Sequence, residues 1–141
     1  MDSFEILSVH GGGKLELVGT IPRGLTGYEG FELVASLVSP HLAAHVRVYD
    51  VQPQSWAEFF AELAQHWRGW KGAKERESLE HHLRIVATAD SLGHISLRVH
   101  LRDMLSDTNW RAEDVITVEA GQLESIAARA KGYFAPDANA A

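Results

Sequence analysis

Apolar and polar residues alternate through residues 31–38, where Phe31, Leu33, Ala35 and Leu37 share one face, and through 42–50, where Leu42, Ala44, Val46 and Val48 do the same. Every second side chain of an extended segment points to the same side, so both stretches predict half-buried strands. Ser39-Pro40 separates them, because proline has no amide to give a sheet ladder. Two shorter runs precede them, 4–9 and 14–21, split by His10-Gly11-Gly12-Gly13 into a hairpin. Residues 22–30, with Gly24, Gly27 and Gly30, have no sustained period and read as a loop.

At residue 53 the period changes. Trp56, Phe59, Phe60, Leu63, Ala64 and Trp67 recur at helical spacing, which predicts one broad apolar stripe on a long helix over 53–70. Ser55 followed by Glu58 has the spacing of a capping box, and Gly69 and Gly72 mark its end. Residues 71–78 are charged and read as a connector. Strands return at 83–89 and 94–102 around the turn Asp90-Ser91-Leu92-Gly93, and again at 110–119 after a polar loop at 104–109. A short helix over 121–131 follows, with Leu123, Ile126, Ala127 and Ala130 inward and Gly132 just past its end. The expectation is an α+β domain over residues 1–135. It has one antiparallel sheet of about seven strands with a long and a short helix packed on it, in the order four strands, helix, three strands, helix. Residues 136–141 are expected to be a flexible tail.

Composition narrows the chemistry. The chain of 141 residues contains no cysteine, which excludes disulfides, thiolate metal ligation and thiol nucleophiles. With 13 Lys+Arg against 19 Asp+Glu its net charge is −6, which argues against a nucleic-acid groove and for a basic partner. There is no apolar run of membrane-spanning length and no signal-peptide pattern at the start, so a cytoplasmic protein without a membrane partner is expected.

The residues that carry catalysis elsewhere do not converge here. Among the 8 histidines, His81 and His82 are adjacent and point to opposite faces of a strand, while His94 and His100 share a polar face. None of these spacings assembles a three-ligand metal centre, so no metal or cofactor is expected. Asp90 with His94 has the look of a dyad, but an Asp opening a Gly-terminated turn is a turn former. Gly11-Gly12-Gly13-Lys14 leads into a strand rather than the helix of a phosphate loop. Trp67-Arg68-Gly69-Trp70 holds two of the four tryptophans, and tryptophan beside arginine is the composition of interface anchors. Two readings follow: Trp67 completes the apolar stripe while Trp70 caps the helix end against the sheet, or an exposed Trp70 beside Arg68 and Lys71 anchors a partner.

The order Trp56-x-x-Phe59-Phe60-x-x-Leu63-Ala64, Trp67-Arg68-Gly69-Trp70-x-Gly72-x-Lys74, Ser78-Leu79-Glu80 resembles a family of small uncharacterised actinobacterial domains. The resemblance continues through Ala87-Thr88, Asp90, Gly93-His94 and Glu119-Ala120-Gly121-Gln122-Leu123 and covers about half the chain. Arg76 stands where that pattern has an aromatic residue, and His81 where it has a turn glycine. More loosely, the order of elements resembles immunity proteins of the WapI type, which implies a protein that neutralises a toxin by binding and has no catalytic residues. The leading expectation is therefore a non-enzymatic cytoplasmic binding protein with an acidic, aromatic surface for a basic protein partner. Its candidate contact residues are Tyr49, Arg68, Trp70, Lys74, Glu80, Asp90 and His94. The alternative is a small-molecule binder or enzyme with a cleft between sheet and long helix, lined by His45, Arg47, Tyr49, His94, Arg98 and His100. A homodimer through a sheet face or edge is the third reading.

Overall fold

A computed structural model describes residues 2–104 and 107–136. Eight strands form two four-stranded antiparallel sheets, each in simple sequential order. Sheet 1 holds β1 (Ser3–Leu7), β2 (Lys14–Val18), β3 (Gly30–Ser39) and β4 (Leu42–Val51), and α1 (Gln54–Gln65) follows it. Sheet 2 holds β5 (Lys74–Glu77), β6 (Leu83–Ala89), β7 (His94–Arg102) and β8 (Arg111–Glu119), and α2 (Leu123–Phe134) follows that. The connectivity, four strands and a helix, occurs twice in a sequence without a visible repeat. No helix among the described residues is long and apolar enough to cross a membrane.

The α+β class and the antiparallel pairing match the expectation, but a single sheet of about seven strands does not: the described residues form two sheets and eight strands. The additional strand is β5, Lys-Glu-Arg-Glu, inside the expected connector. All four of its side chains are charged, so no apolar alternation marks it. Its inward residues set their charged heads against tryptophan rings, Lys74 Nζ 5.9 Å from the centre of Trp70 and the Arg76 guanidinium 4.7 Å from that of Trp56.

Both helices differ from expectation as well. The first stops at Gln65, and Ser55 lies inside it, donating its hydroxyl to the Gln52 carbonyl at 2.8 Å in place of a capping box. The second runs on through Gly132, because Tyr133 and Phe134 are buried against Phe4 and their packing outweighs the glycine's poor helix propensity. A capping box does occur before it, where the Gln122 side chain accepts from the Glu119 amide at 2.8 Å. Of the expected tail, only Pro136 is among the described residues.

Alternate residues of both sheets meet in one continuous core with α1 and α2. Helix packs on helix, β1 lies beside β8, and β4 crosses β7. Phe4, Phe60, Trp56, Tyr133 and Phe134 form an aromatic chain at the junction, with ring centroids 4.9–6.2 Å apart. Such pairs add about 0.5–1.5 kcal/mol each beyond the area they bury.

One polar group is built into this core. Asp50 continues the inward row of Val46 and Val48 at the end of β4 and is only 2% exposed. Its Oδ1 accepts from the amides of Val51 at 2.8 Å and Leu79 at 3.2 Å. Its Oδ2 accepts from the Trp56 indole at 2.8 Å and from Arg76 at 3.2 Å. Arg76 is held in turn by the Ser55 hydroxyl at 2.8 Å and the Glu77 carbonyl. The carboxylate thus joins β4 and α1 to β5 and to the turn that follows it.

Removing one member of a buried ion pair leaves the other uncompensated, at about 3–5 kcal/mol. Asp50→Ala is expected to lose that much in urea unfolding, while Arg76→Ala adds little further loss in the Asp50→Ala background; additive losses would mean that the pair is not coupled. His81 has φ +66°, a left-handed conformation that favours glycine. His81→Gly is therefore expected to gain about 0.5 kcal/mol despite losing the exposed contact with Glu77, and a loss of similar size contradicts the strain assigned there.

Candidate functional site

The chain leaves α1 through Gln65-His66, where the His66 amide bonds back to the Glu62 carbonyl at 3.1 Å. Gly69 and Gly72 then take φ +115° and +74°, beyond the helix rather than closing it. This bend decides which tryptophan is presented. Trp70 turns back onto sheet 2, half-buried, with its indole donating to the Ala87 carbonyl at 3.2 Å. Trp67, expected to complete the buried stripe, is 53% exposed instead, with the Arg68 guanidinium 5.1 Å from its ring centre.

Two other segments come to the same end. Trp67 lines a hollow of about 200 Å³ with Ala64, Ala120, Gly121 and Glu124, at the approach to α2. The Ala120 amide donates to Gly93 at 2.8 Å, which ties that approach to the β6–β7 turn and its exposed Leu92. Within the turn Asp90 Oδ1 accepts from the amides of Leu92 at 2.8 Å and His94 at 2.9 Å. Those bonds hold the Asp90 carboxyl below its ordinary pKa, the His94 amide contributing most and the Leu92 amide and His94 ring adding to it. The His94 ring lies 3.0 Å from Asp90 Oδ2 and 3.7 Å from Glu119 Oε1. It sits on an open turn, an arrangement for holding charge at a surface.

Five of the seven expected contact residues therefore meet at one end of the molecule: Arg68, Trp70, Lys74, Asp90 and His94. Lys74 pairs with Glu62 at 3.1 Å, with Trp70 beside it. Tyr49 and Glu80 lie elsewhere. Tyr49 is on the outer face of sheet 1, its ring over Gly30, where a Cβ would fall 2.2 Å from the phenol oxygen. Glu80 is exposed on the turn between β5 and β6. Trp67 and Leu92 were not among the expected contacts, and the one sequence signal for Trp67 is Gly69, which ends helical geometry two residues later.

The His/Arg residues of the small-molecule reading lie on outer faces of different sheets, His45 and Arg47 on sheet 1, Arg98 and His100 on sheet 2. A cavity of about 810 Å³ lies elsewhere, between β1, residues 20–23 and α2, with Phe4, Ile21, Arg129 and Tyr133 in its lining. Burial pushes the Tyr133 phenol up to about 12, with the Asp2 charge adding to the effect. Its hydroxyl is buried without a hydrogen-bond partner among the described residues.

Residues 23–137 match a family of unknown function, DUF6228. No curated protein matches the chain.

Removing an unpartnered buried hydroxyl is nearly neutral or stabilising, so Tyr133→Phe is expected to change stability at neutral pH by between zero and about +1 kcal/mol. The folded state holds the phenol's proton more tightly than the unfolded chain, whose tyrosine titrates near pH 10. Its contribution is complete below pH 10 and is lost as pH rises through about 12. Thermal unfolding over that range is expected to fall more steeply for the parent than for Tyr133→Phe, and parallel curves contradict the burial of the neutral phenol.

Proposed function

The chain belongs to the DUF6228 family, whose function is unknown, and from that premise we propose that it is a non-enzymatic cytoplasmic binding protein whose Trp67 end docks a basic protein partner, acting as an immunity protein that neutralises a toxin. The observation that carries this reading is Trp67, a large aromatic more than half exposed and stacked by Arg68, at the end of the molecule where the Ala120–Gly93 hydrogen bond also brings the turn that exposes Leu92. An isolated exposed side chain needs no explanation; three segments joined by hydrogen bonds to present two of them together is the composition of a docking surface. Asp90, Glu119 and Glu124 surround it and, with the net charge of −6, favour fast encounter with a cationic surface. A His/Arg-lined pocket between sheet and long helix has less support, since those side chains face outward.

Tagged protein in an extract of the native host tests the reading. The parent is expected to retain a basic protein at low ionic strength and release it as salt rises. Trp67→Ala, at an exposed site that folding does not need, is expected to weaken retention at least about 30-fold, the loss of about 2 kcal/mol that marks an interface anchor. Tyr49→Phe, on the other sheet, should leave it unchanged. Equal retention by Trp67→Ala and the parent removes this surface from the account.

A further inference from the structure

The outer face of sheet 2 carries an arrangement that the docking surface does not use. Arg102 and Arg111 are directly opposite each other, the last pair of the β7–β8 ladder, and both point outward. Like charges facing each other across strands destabilise a sheet. They are fixed there, because the Asp103 amide bonds the Trp110 carbonyl at 3.0 Å just beyond them and a one-residue slip would turn the inward row of Val99, Ile116 and Val118 to solvent.

The carboxylates nearby are engaged with other cations. Glu113 bonds Arg98 and lies 3.2 Å from His100; its carboxyl is held below the ordinary range by the Arg98 hydrogen bond first, with His100 contributing. Glu75 pairs with Arg84 at 2.6 Å, and Glu77 with His81 at 2.8 Å. Among the described residues neither Arg102 nor Arg111 has an acidic group in ion-pair range. Arg102 Nε is buried and has no hydrogen-bond partner among the described residues. The two arginines line a depression of about 330 Å³ with Arg84, His100 and the carboxylates Glu77 and Glu113, both of which are already engaged by other cations. A concave site with two guanidinium groups that have no ion pair among the described residues offers an anion a complementary charge.

We propose that this depression binds a phosphate group, as the free ion or as a phosphomonoester, with Arg102 and Arg111 as its principal ligands. A guanidinium presents a fixed fork of donors that matches the oxygens of phosphate, and a dianion between two such groups offsets both their repulsion and the unpaired donor. The proposal is independent of the Trp67 surface, which lies on other segments.

Backbone amide shifts and melting temperature, followed on addition of sodium phosphate, glycerol phosphate or sodium acetate at matched ionic strength in chloride, provide the test. Phosphate or its ester is expected to give saturable shifts centred on Arg102 and Arg111 and a higher melting temperature. If only the ester saturates, the site takes phosphomonoesters; if both do equally, it recognises the phosphate group alone. Arg102→Gln and Arg111→Gln are expected to weaken binding at least about tenfold, while each melts no lower than the parent without phosphate because a like-charge contact is relieved. Trp67→Ala should bind phosphate as the parent does. Shifts that do not saturate, that acetate reproduces, or that survive in both arginine variants overturn the proposal.

Discussion

Asp50 is a carboxylate placed where an aliphatic side chain would continue the inward row of its strand, and the two halves of the molecule are organised around it. A buried charge costs several kcal/mol in desolvation and persists only where donors converge on it. Here four do: its neighbour's amide, the Trp56 indole of α1, the Arg76 guanidinium of β5, and the Leu79 amide after β5. Each donor belongs to an element with reasons of its own to be elsewhere, so satisfying the carboxylate fixes several geometries at once. The helix must begin within reach of β4, and β5 must be extended with Arg76 inward. Apolar packing supplies most of the stability of such a core, whereas this node supplies the register between a sheet–helix unit and its successor.

From that register the surface follows. With α1 anchored at Trp56, its far end comes to the same side as the β6–β7 turn, and the glycines after it let Trp70 return to sheet 2 while Trp67 does not. The Trp67 surface is thus a by-product of a fixed helix ending over a sheet edge, stabilised by the Ala120–Gly93 hydrogen bond. The opposite end of sheet 2 ends in two facing arginines held by the same inward row that builds the core. The arginines lie on paired strands, whereas Trp67 and Leu92 lie on turns tied to sheet 2 by the Trp70–Ala87 and Ala120–Gly93 hydrogen bonds.

How much of this was legible beforehand depended on whether burial was apolar. Strands β6 and β7 match their expected limits because alternation and the Asp90 turn both mark them. Strand β5 was invisible since its inward residues are Lys74 and Arg76, whose burial needs partners distant in sequence. Trp67 has the spacing of a core residue and was assigned to the core; Gly69 was the competing signal. Gly132 marks a helix end by propensity, but Tyr133 and Phe134 had an aromatic cluster to join. Asp50 stands two residues after Val48, which puts it on the inward face, but a carboxylate there carries no apolar mark of burial. Partition into two sheets has no sequence signal of this kind, because alternation shows that a strand has two faces and not which sheet it joins. The family match covers most of the chain and agrees with the tryptophan segment's resemblance only in being to a family of unknown function.

The central claim is that the Asp50 node makes the two strand–helix units open together. Native-state hydrogen exchange at its donors measures this directly. The Val51 and Leu79 amides and the Trp56 indole lie on different elements but share one acceptor, so all three are expected to exchange at the free energy of global unfolding, with the same dependence on denaturant. Exchange of the Leu79 amide at a much lower free energy than that of Val51 would show β5 and its turn opening while β4 and α1 stay closed, and would contradict the account.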